Sequence, residues 1–157
     1  MSSYRRVFMP GGTFFFTANL RDRRSDLLVR RIDLFRQSWR DVARRWPFET
    51  IAAVVLPDHL HMVITLPEGD ADYPTRLRLI KTGFIRRLPD TDKLEGRKSE
   101  RNVWQRRYWE HAIRDADDLD ACVAYVHSNP VKHGLVTEIA HWPYSIWHRD
   151  RSGAAKA

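Results

Sequence analysis

Two histidines spaced two residues apart give the clearest chemical signal in this sequence. They lie in VVLPDHLHMVITLP, where strand alternation would place His59 and His61 together on one face. At this spacing, about 7 Å along a strand, two imidazoles can converge on one metal ion. A pair of hydrogen-bonded surface histidines would give the same pattern, so these two residues alone leave both interpretations open. The alternate positions are apolar and predict a core face: Leu60, Met62, Ile64 and Leu66.

A tyrosine and an asparagine four residues apart form a second candidate for chemistry. In AYVHSNPVKHGL, Tyr125 and Asn129 would share one face of a helix. A tyrosine can attack phosphorus covalently when positive charge stabilises its phenolate, because an unperturbed phenol has a pKa of about 10. Asn129 could add a neutral oxygen ligand beside the imidazoles. A half-buried tyrosine before an Asn-Pro helix stop is the more ordinary explanation of these residues.

Hydrophobic periodicity predicts the elements that must position these residues. We expect strands at 13–20, 48–56, 59–66 and 104–113, and helices at 31–46, 74–88 and 115–127, the last one closed by Pro130. Residues 89–102 are charged and unpatterned, which predicts a mobile loop. The order of elements is typical of an α+β fold, an antiparallel sheet with helices packed over it.

Length and composition limit the number of domains, the possible cysteine chemistry and the expected location of this protein. A chain of 157 residues with 43% apolar content suits one domain, predicted over residues 1–150 with a disordered tail at 151–157. The lone Cys122, expected in the core, excludes an intrachain disulfide and a multi-cysteine zinc site. With no signal-peptide pattern and no long apolar run, the sequence predicts a cytoplasmic protein without membrane contact.

The charge balance favours a polyanionic partner. The net charge is +7, and only five of the 27 basic residues are lysines. Arginine offers a planar fork of donors that fits phosphate oxygens and can stack on bases. A basic solubilising surface is the alternative explanation. The candidate nucleic-acid contacts are Arg21, Arg23, Arg24, Arg78, Lys81, Arg86, Arg87, Lys132 and His133.

Taken together, these segments resemble the REP-associated tyrosine transposases, which are relatives of the single-strand insertion-sequence transposases in the HUH superfamily. A histidine pair alone is generic, but LPDHLH followed by LPEGD and then by Y-x-x-x-N-P-V-K-H-G is specific. The residues that carry the resemblance span most of the chain: Gly11-Gly12-Thr13, Phe15-Phe16-Thr17, Val54 to His61, Leu66 to Asp70, Trp104-Gln105, Trp109-Glu110-His111, Tyr125 and Asn129 to Leu135.

The resemblance implies a role for each residue of the two motifs. His59 and His61 match two metal ligands, Tyr125 matches the single nucleophile, and Asn129 matches a third ligand that varies in relatives. It also implies a ferredoxin-like or RRM-like HUH endonuclease fold and a divalent metal, Mg²⁺ or Mn²⁺. Imidazole ligands suit manganese or a softer ion better than magnesium, so the sequence does not decide which metal ion is bound.

The implied activity is cutting and rejoining of single-stranded DNA. By this resemblance, the protein is a metal-dependent endonuclease and strand transferase that acts on palindromic repeat (REP) hairpins through a 5′-phosphotyrosine. It would be nucleoid-associated and monomeric, with a homodimer as the alternative. Unpaired bases could stack on exposed aromatic rings, although such residues more often pack in the core. The candidate rings are Trp104, Tyr108, Trp142 and Trp147.

Two other functions fit parts of the sequence. A non-catalytic module that binds single-stranded nucleic acid would have the same order of elements, as in RRM folds, but has no need of Tyr125 and both histidines. A replication or conjugation initiator of the same superfamily usually carries a helicase or a larger partner domain. The other histidines lack a paired spacing and are interpreted as structural: His111, His127, His141 and His148.

Overall fold

The computed structural model describes residues 7–92 and 103–147. The tail predicted at 151–157, the domain boundary at 150, His148 and most of the loop predicted at 89–102 lie outside these ranges. Of that loop, residues 90–92 form a 3-10 turn in which Asp92 pairs with Arg30 and Arg31. No helix in the described ranges is both long and apolar enough to cross a membrane.

Four antiparallel strands form one sheet in the order β2-β3-β1-β4. The central strands β1 and β3 are joined along their whole length, and a bulge interrupts the pairing of β2 with β3. The α+β fold and its antiparallel sheet are confirmed. The strands are β1 (Thr13–Asn19), β2 (Glu49–Val55), β3 (His59–Thr65) and β4 (Trp109–Ala112).

Helices cover both faces of this sheet. The short helix α1 leads into α2, which packs against α3, and the apolar residues of both long helices join the larger core on one face. The last helix, α4, packs on the opposite face against β2 and β3. The helices are α1 (Leu27–Arg30), α2 (Ile32–Arg45), α3 (Tyr73–Arg87) and α4 (Ala116–Lys132).

The alternation predicted for β3 is confirmed. Leu60, Met62 and Ile64 enter the larger core, whereas Val63 joins a smaller core beneath α4. Because alternate side chains of a strand share a face, His59 and His61 lie on the α4 side of the sheet. The strand therefore aims both imidazoles at the helix that carries Tyr125.

Two predicted boundaries were wrong. The strand expected at 104–113 is only the four residues of β4, since Trp104 makes just an isolated bridge with Leu20. The last helix does not end at Pro130 but runs two residues further. It ends at Lys132, and the turn after it closes at Gly134, whose φ of +72° allows the N–H groups of Gly134 and Leu135 to donate to the carbonyls of Val131 and Pro130.

Candidate active site

The two histidines of β3 are buried side by side. His59 is 5% exposed and His61 is 4% exposed, and their ring centroids lie 5.0 Å apart. Each ring is fixed through its Nδ1 atom: that of His59 lies 2.8 Å from the Asp58 carboxylate, and that of His61 lies 2.7 Å from the Thr17 hydroxyl. When Nδ1–H donates these bonds, Nε2 keeps its lone pair, as a metal-ligating imidazole requires.

Two buried polar atoms next to each other in this site lack a partner. Nε2 of His61 and Oδ1 of Asn129 meet no full hydrogen-bond geometry within the described part of the chain, although the Asn129 side chain lies close enough to His61 to oppose the lowering of its pKa. Asn129 is fully buried, and its amide nitrogen donates to the carbonyl of Tyr125 at 3.4 Å. Buried acceptors are seldom left unsatisfied, so a cation bound between these atoms would explain both. The residues present fit a divalent metal.

The site keeps its imidazoles neutral. Burial lowers the pKa of His61 to about 3, and a charge on His59 would act in the same direction. Burial also lowers the pKa of His59, although Asp58 opposes this. The pKa of Asp58 is itself raised by burial but lowered overall, because Arg23 and His59 both donate to its carboxylate. Near neutral pH, the site therefore presents imidazole lone pairs backed by a carboxylate.

Helix α4 brings Tyr125 against this pair. The Tyr125 ring lies 5.2 Å from the His61 ring and 5.8 Å from Phe15, in edge contacts with both. The tyrosine is 38% exposed, so a substrate can reach it. Tyr125 and Asn129 share a helix face as predicted, and that face is the one turned toward His61.

The two residues at the end of α4 also belong to the site. Lys132 places its Nζ 4.9 Å from the centroid of the Tyr125 ring, and the His133 ring lies 5.1 Å from that of His59. The structure therefore gathers six of the sequence-predicted residues in one place: His59, His61, Tyr125, Asn129, Lys132 and His133.

Three candidate arginines follow β1 at the end of the sheet where His59 lies. Arg21 and Arg24 are exposed, and Arg24 pairs with Asp22 on the surface at 3.6 Å. Arg23 instead donates from Nε to the Asp58 carboxylate at 2.6 Å. Since the Asp58 carboxylate also bonds Nδ1 of His59, Arg23 helps to position this histidine through Asp58.

The candidates on α3 do not reach the site, because this helix covers the opposite face of the sheet. Arg78 and Arg86 are exposed there, and Arg87 is half-buried in an ion pair with Asp41. Lys81, another candidate nucleic-acid contact, does not point outward: it is 4% exposed and donates to the carbonyl of Gln105 at 3.2 Å. The segment before β4 covers this part of α3, and local periodicity does not reveal that contact.

Most of the candidate stacking rings are also packed inside. Trp104 is 1% exposed and Trp142 is 9% exposed, and each indole N–H donates to a backbone carbonyl, so these two rings follow the core-packing alternative. Tyr108 packs edge-on against Phe16 and is half-buried, as is Trp147. Sequence reasoning missed Trp109, which is 62% exposed. Local alternation could not have identified it, because a tryptophan next to Glu110 in a strand would be expected inside and the glutamate outside, the reverse of the observed burial.

A second group of metal-binding residue types lies between β4 and α4. Ligand atoms of His111, Asp118 and Cys122 are within 4.8 Å of one another. The Asp118 carboxylate already accepts from His111 at 2.9 Å and from the backbone and side chain of Arg114. Burial raises the pKa of the Cys122 thiol, which favours its protonated form. These residues form a satisfied hydrogen-bond network, in contrast to the unpartnered atoms beside Tyr125.

Comparison with known proteins adds the family context. Residues 16–129 match the family model described as "Transposase IS200 like". A REP-associated tyrosine transposase of Escherichia coli is 48% identical over 150 residues, covering 96% of this chain and 85% of the relative. A Haemophilus influenzae protein provisionally given the same name is 45% identical over 154 residues, with 96% and 88% covered.

Solved structures agree with these relatives. The structure of a REP-associated tyrosine transposase bound to a REP hairpin is 47% identical to this chain, with a TM-score of 0.86 over 97% of this chain and 86% of that one. A Deinococcus radiodurans crystal structure, provisionally described as a transposase, shares the fold at 18% identity with a TM-score of 0.51, over 82% of this chain and 97% of that one.

Proposed function

Since the chain belongs to the IS200-like transposases, and within them to the REP-associated tyrosine transposases, we propose that it cuts and rejoins single-stranded DNA through a covalent bond to Tyr125. The observation that carries this proposal is the pair of unpartnered buried atoms, His61 Nε2 and Asn129 Oδ1, directly beside an accessible tyrosine. A protein that only binds nucleic acid has no need of such a site.

In the proposed reaction, the phenolic oxygen of Tyr125 attacks a phosphodiester. The new O–P bond forms as the bond from phosphorus to the 3′ oxygen breaks, which leaves a 5′-phosphotyrosine and a free 3′-hydroxyl. The proton lost by the phenol balances the proton gained by the leaving oxygen. Because the phosphotyrosine is still a diester, another 3′-hydroxyl can reverse the step and join new ends without ATP.

Three side chains of the site could provide ligand atoms for a metal ion. His59, His61 and Asn129 would hold a divalent ion, Mg²⁺ or Mn²⁺, with Nε2 atoms and an amide oxygen as ligands. When bound, this ion would supply Lewis-acid stabilisation of charge on the phosphate oxygens. Asp58 and Thr17 orient the two imidazoles through Nδ1.

Positive side chains around Tyr125 would bind the scissile phosphate. The ammonium of Lys132 lies over the Tyr125 ring, where it can attract an incoming phosphate and stabilise negative charge during attack. His133 and the exposed Arg21 and Arg24 extend the basic surface from the same end of the sheet. Of the predicted contacts, Arg78 and Arg86 lie on α3, across the sheet from Tyr125, and would not contact the same DNA strand.

The proposed substrate is DNA of palindromic repeats folded as hairpins. Support comes from the 47% identical structure, which is bound to a REP hairpin. The unpaired DNA next to such a hairpin would supply the flexible strand that can enter a buried site. Action on chromosomal repeats would place the protein at the nucleoid.

An adduct assay tests this proposal. The protein is incubated with a labelled hairpin from repeats flanking its gene, together with Mn²⁺ or Mg²⁺, and analysed on a denaturing gel. We expect a covalent DNA–protein adduct that Tyr125→Phe, the double change His59→Ala with His61→Ala, and chelator each abolish. Tyr144→Phe and the exposed His141→Ala are matched controls that should retain the adduct.

Hairpin binding without an adduct, in either metal and across several hairpins, would overturn the proposal. That result would favour the non-catalytic binding module with an RRM-like fold. An adduct that survives Tyr125→Phe would show that another residue is the nucleophile.

A further inference from the structure

Trp109 presents an unpartnered aromatic ring to solvent. It is 62% exposed, and the described part of the chain offers its indole no ring contact, cation or hydrogen bond. The buried tryptophans Trp104 and Trp142, by contrast, are each fixed by an N–H donated to a carbonyl. Trp109 also begins β4 and pairs in register with β1, so a regular strand holds its backbone in place.

The sheet register places Trp109 in line with the candidate active site. Thr17 of β1 lies opposite His61 on one side and opposite Trp109 on the other. Residues directly opposite each other in antiparallel strands project from the same face. The three side chains therefore form a row across the sheet, with Trp109 about 10 Å from His61, since adjacent strands are about 4.8 Å apart.

This row begins at His61, beneath α4, and ends at the exposed ring of Trp109. Helix α4 packs on β2 and β3 and contacts β4 at His111, two residues after Trp109, whereas Trp109 itself stays exposed on the same face. Two exposed arginines, Arg106 and Arg107, immediately precede this strand, and neither pairs with a carboxylate within residues 7–92 and 103–147. An aromatic ring beside unpaired arginines suits a base and its phosphates better than an apolar protein surface.

We propose that Trp109 is a stacking platform for an unpaired base of the DNA strand whose phosphate reaches Tyr125. The proposal rests on the proposed function and adds to it the path of the strand, which crosses the sheet from the nucleophile over Thr17 to Trp109. Arg106 and Arg107 would contact the phosphates on either side of the stacked base. Aromatic stacking accepts any base, so this subsite would bind the strand without reading its sequence.

Abasic scanning tests the subsite. Affinities are measured in a Tyr125→Phe background, where no adduct forms, for a hairpin with single-stranded flanks and for copies lacking one base at each unpaired position in turn. We expect Trp109→Ala to weaken binding of the intact DNA about 5- to 100-fold, and Trp109→Phe to restore most of that affinity. Removal of the stacked base, at one unpaired position, should weaken binding by the same factor as Trp109→Ala does on intact DNA. In the Trp109→Ala protein, removal of that base should cause no further loss of affinity.

Two controls keep the result specific. Phe8→Ala removes a ring that is 80% exposed at the opposite end of β1, and it should not change affinity. A fully paired stem without flanks should bind both Trp109 forms equally. Unchanged affinity in Trp109→Ala, or an equal loss for every abasic DNA and for the stem, would overturn the subsite. Adduct formation by the Tyr125-containing protein is scored separately, so failure of the subsite and failure of the proposed function remain distinguishable.

Discussion

At the scale of single residues, Asp58 connects the surface to the candidate metal site. Its carboxylate accepts from Arg23 at 2.6 Å and lies 2.8 Å from Nδ1 of His59. A carboxylate behind a ligating imidazole fixes the tautomer and the ring orientation and makes the other nitrogen a better ligand. Asp58 comes directly before His59 in the sequence, but only the turn between β2 and β3 directs its side chain back to the ring.

Removing this carboxylate should weaken metal binding without removing a ligand. We expect Asp58→Ala to lower the affinity for Mn²⁺ about 10- to 100-fold, measured by isothermal titration calorimetry. The matched control is Asp22→Ala, an exposed carboxylate that pairs with Arg24 at the surface. If both variants bind Mn²⁺ as tightly as the wild type, Asp58 does not support a metal ligand.

At the scale of elements, the end of α4 determines where two site residues stand. The helix runs through Pro130 to Lys132, and the turn that follows closes where Gly134 adopts φ +72°. This ending keeps Lys132 in the last helical turn, over the Tyr125 ring, and His133 against His59. A stop at Pro130 would have left both residues in a loop.

Substitution of Gly134 should therefore destabilise the helix end through backbone strain alone. A Cβ atom at this position would meet nothing within 4 Å, so packing is not involved. We expect Gly134→Ala to lower the free energy of unfolding by about 1–2 kcal/mol, and Gly134→Asn by less, since asparagine tolerates the left-handed region. Urea denaturation measures both. Equal losses for the two variants would contradict a conformational cause.

At the scale of the whole molecule, one chain contains the complete candidate site. Tyr125 contacts His61 of the same chain with ring centroids 5.2 Å apart, and Asn129 is buried in the same fold. A single copy can therefore bring the nucleophile to its metal ligands without exchange of α4 with a second copy. The monomer predicted from the sequence stays a prediction, which this arrangement permits.

Mixing two inactive variants tests this prediction. Tyr125→Phe keeps the metal ligands, and His61→Ala keeps the nucleophile. If each chain acts alone, we expect the mixture to form no more DNA adduct on a denaturing gel than either variant by itself. Wild-type protein diluted with either variant provides the reference. Recovery of the adduct in the mixture would show that copies exchange α4 or share a site.

Local periodicity in the sequence was enough to predict the parts of the site that lie within one element. Strand alternation placed His59 and His61 on one face, and helical spacing placed Tyr125 and Asn129 together, because both patterns follow from backbone geometry within one element. The resemblance of the two motifs assigned the family, which the comparisons confirm. The order of strands and helices also followed, apart from the short helix α1, the extent of β4 and the end of α4.

The exposure of side chains and the contacts between elements depend on long-range packing, which local patterns do not reveal. Lys81 and Arg78 lie three residues apart on α3, yet one is buried under the segment before β4 and the other is exposed. Pairing of β1 with β3 and β4 put Thr17 between His61 and Trp109, although 44 residues separate Thr17 from His61 in the sequence. Periodicity specifies the face on which a residue lies, but long-range packing decides what covers that face.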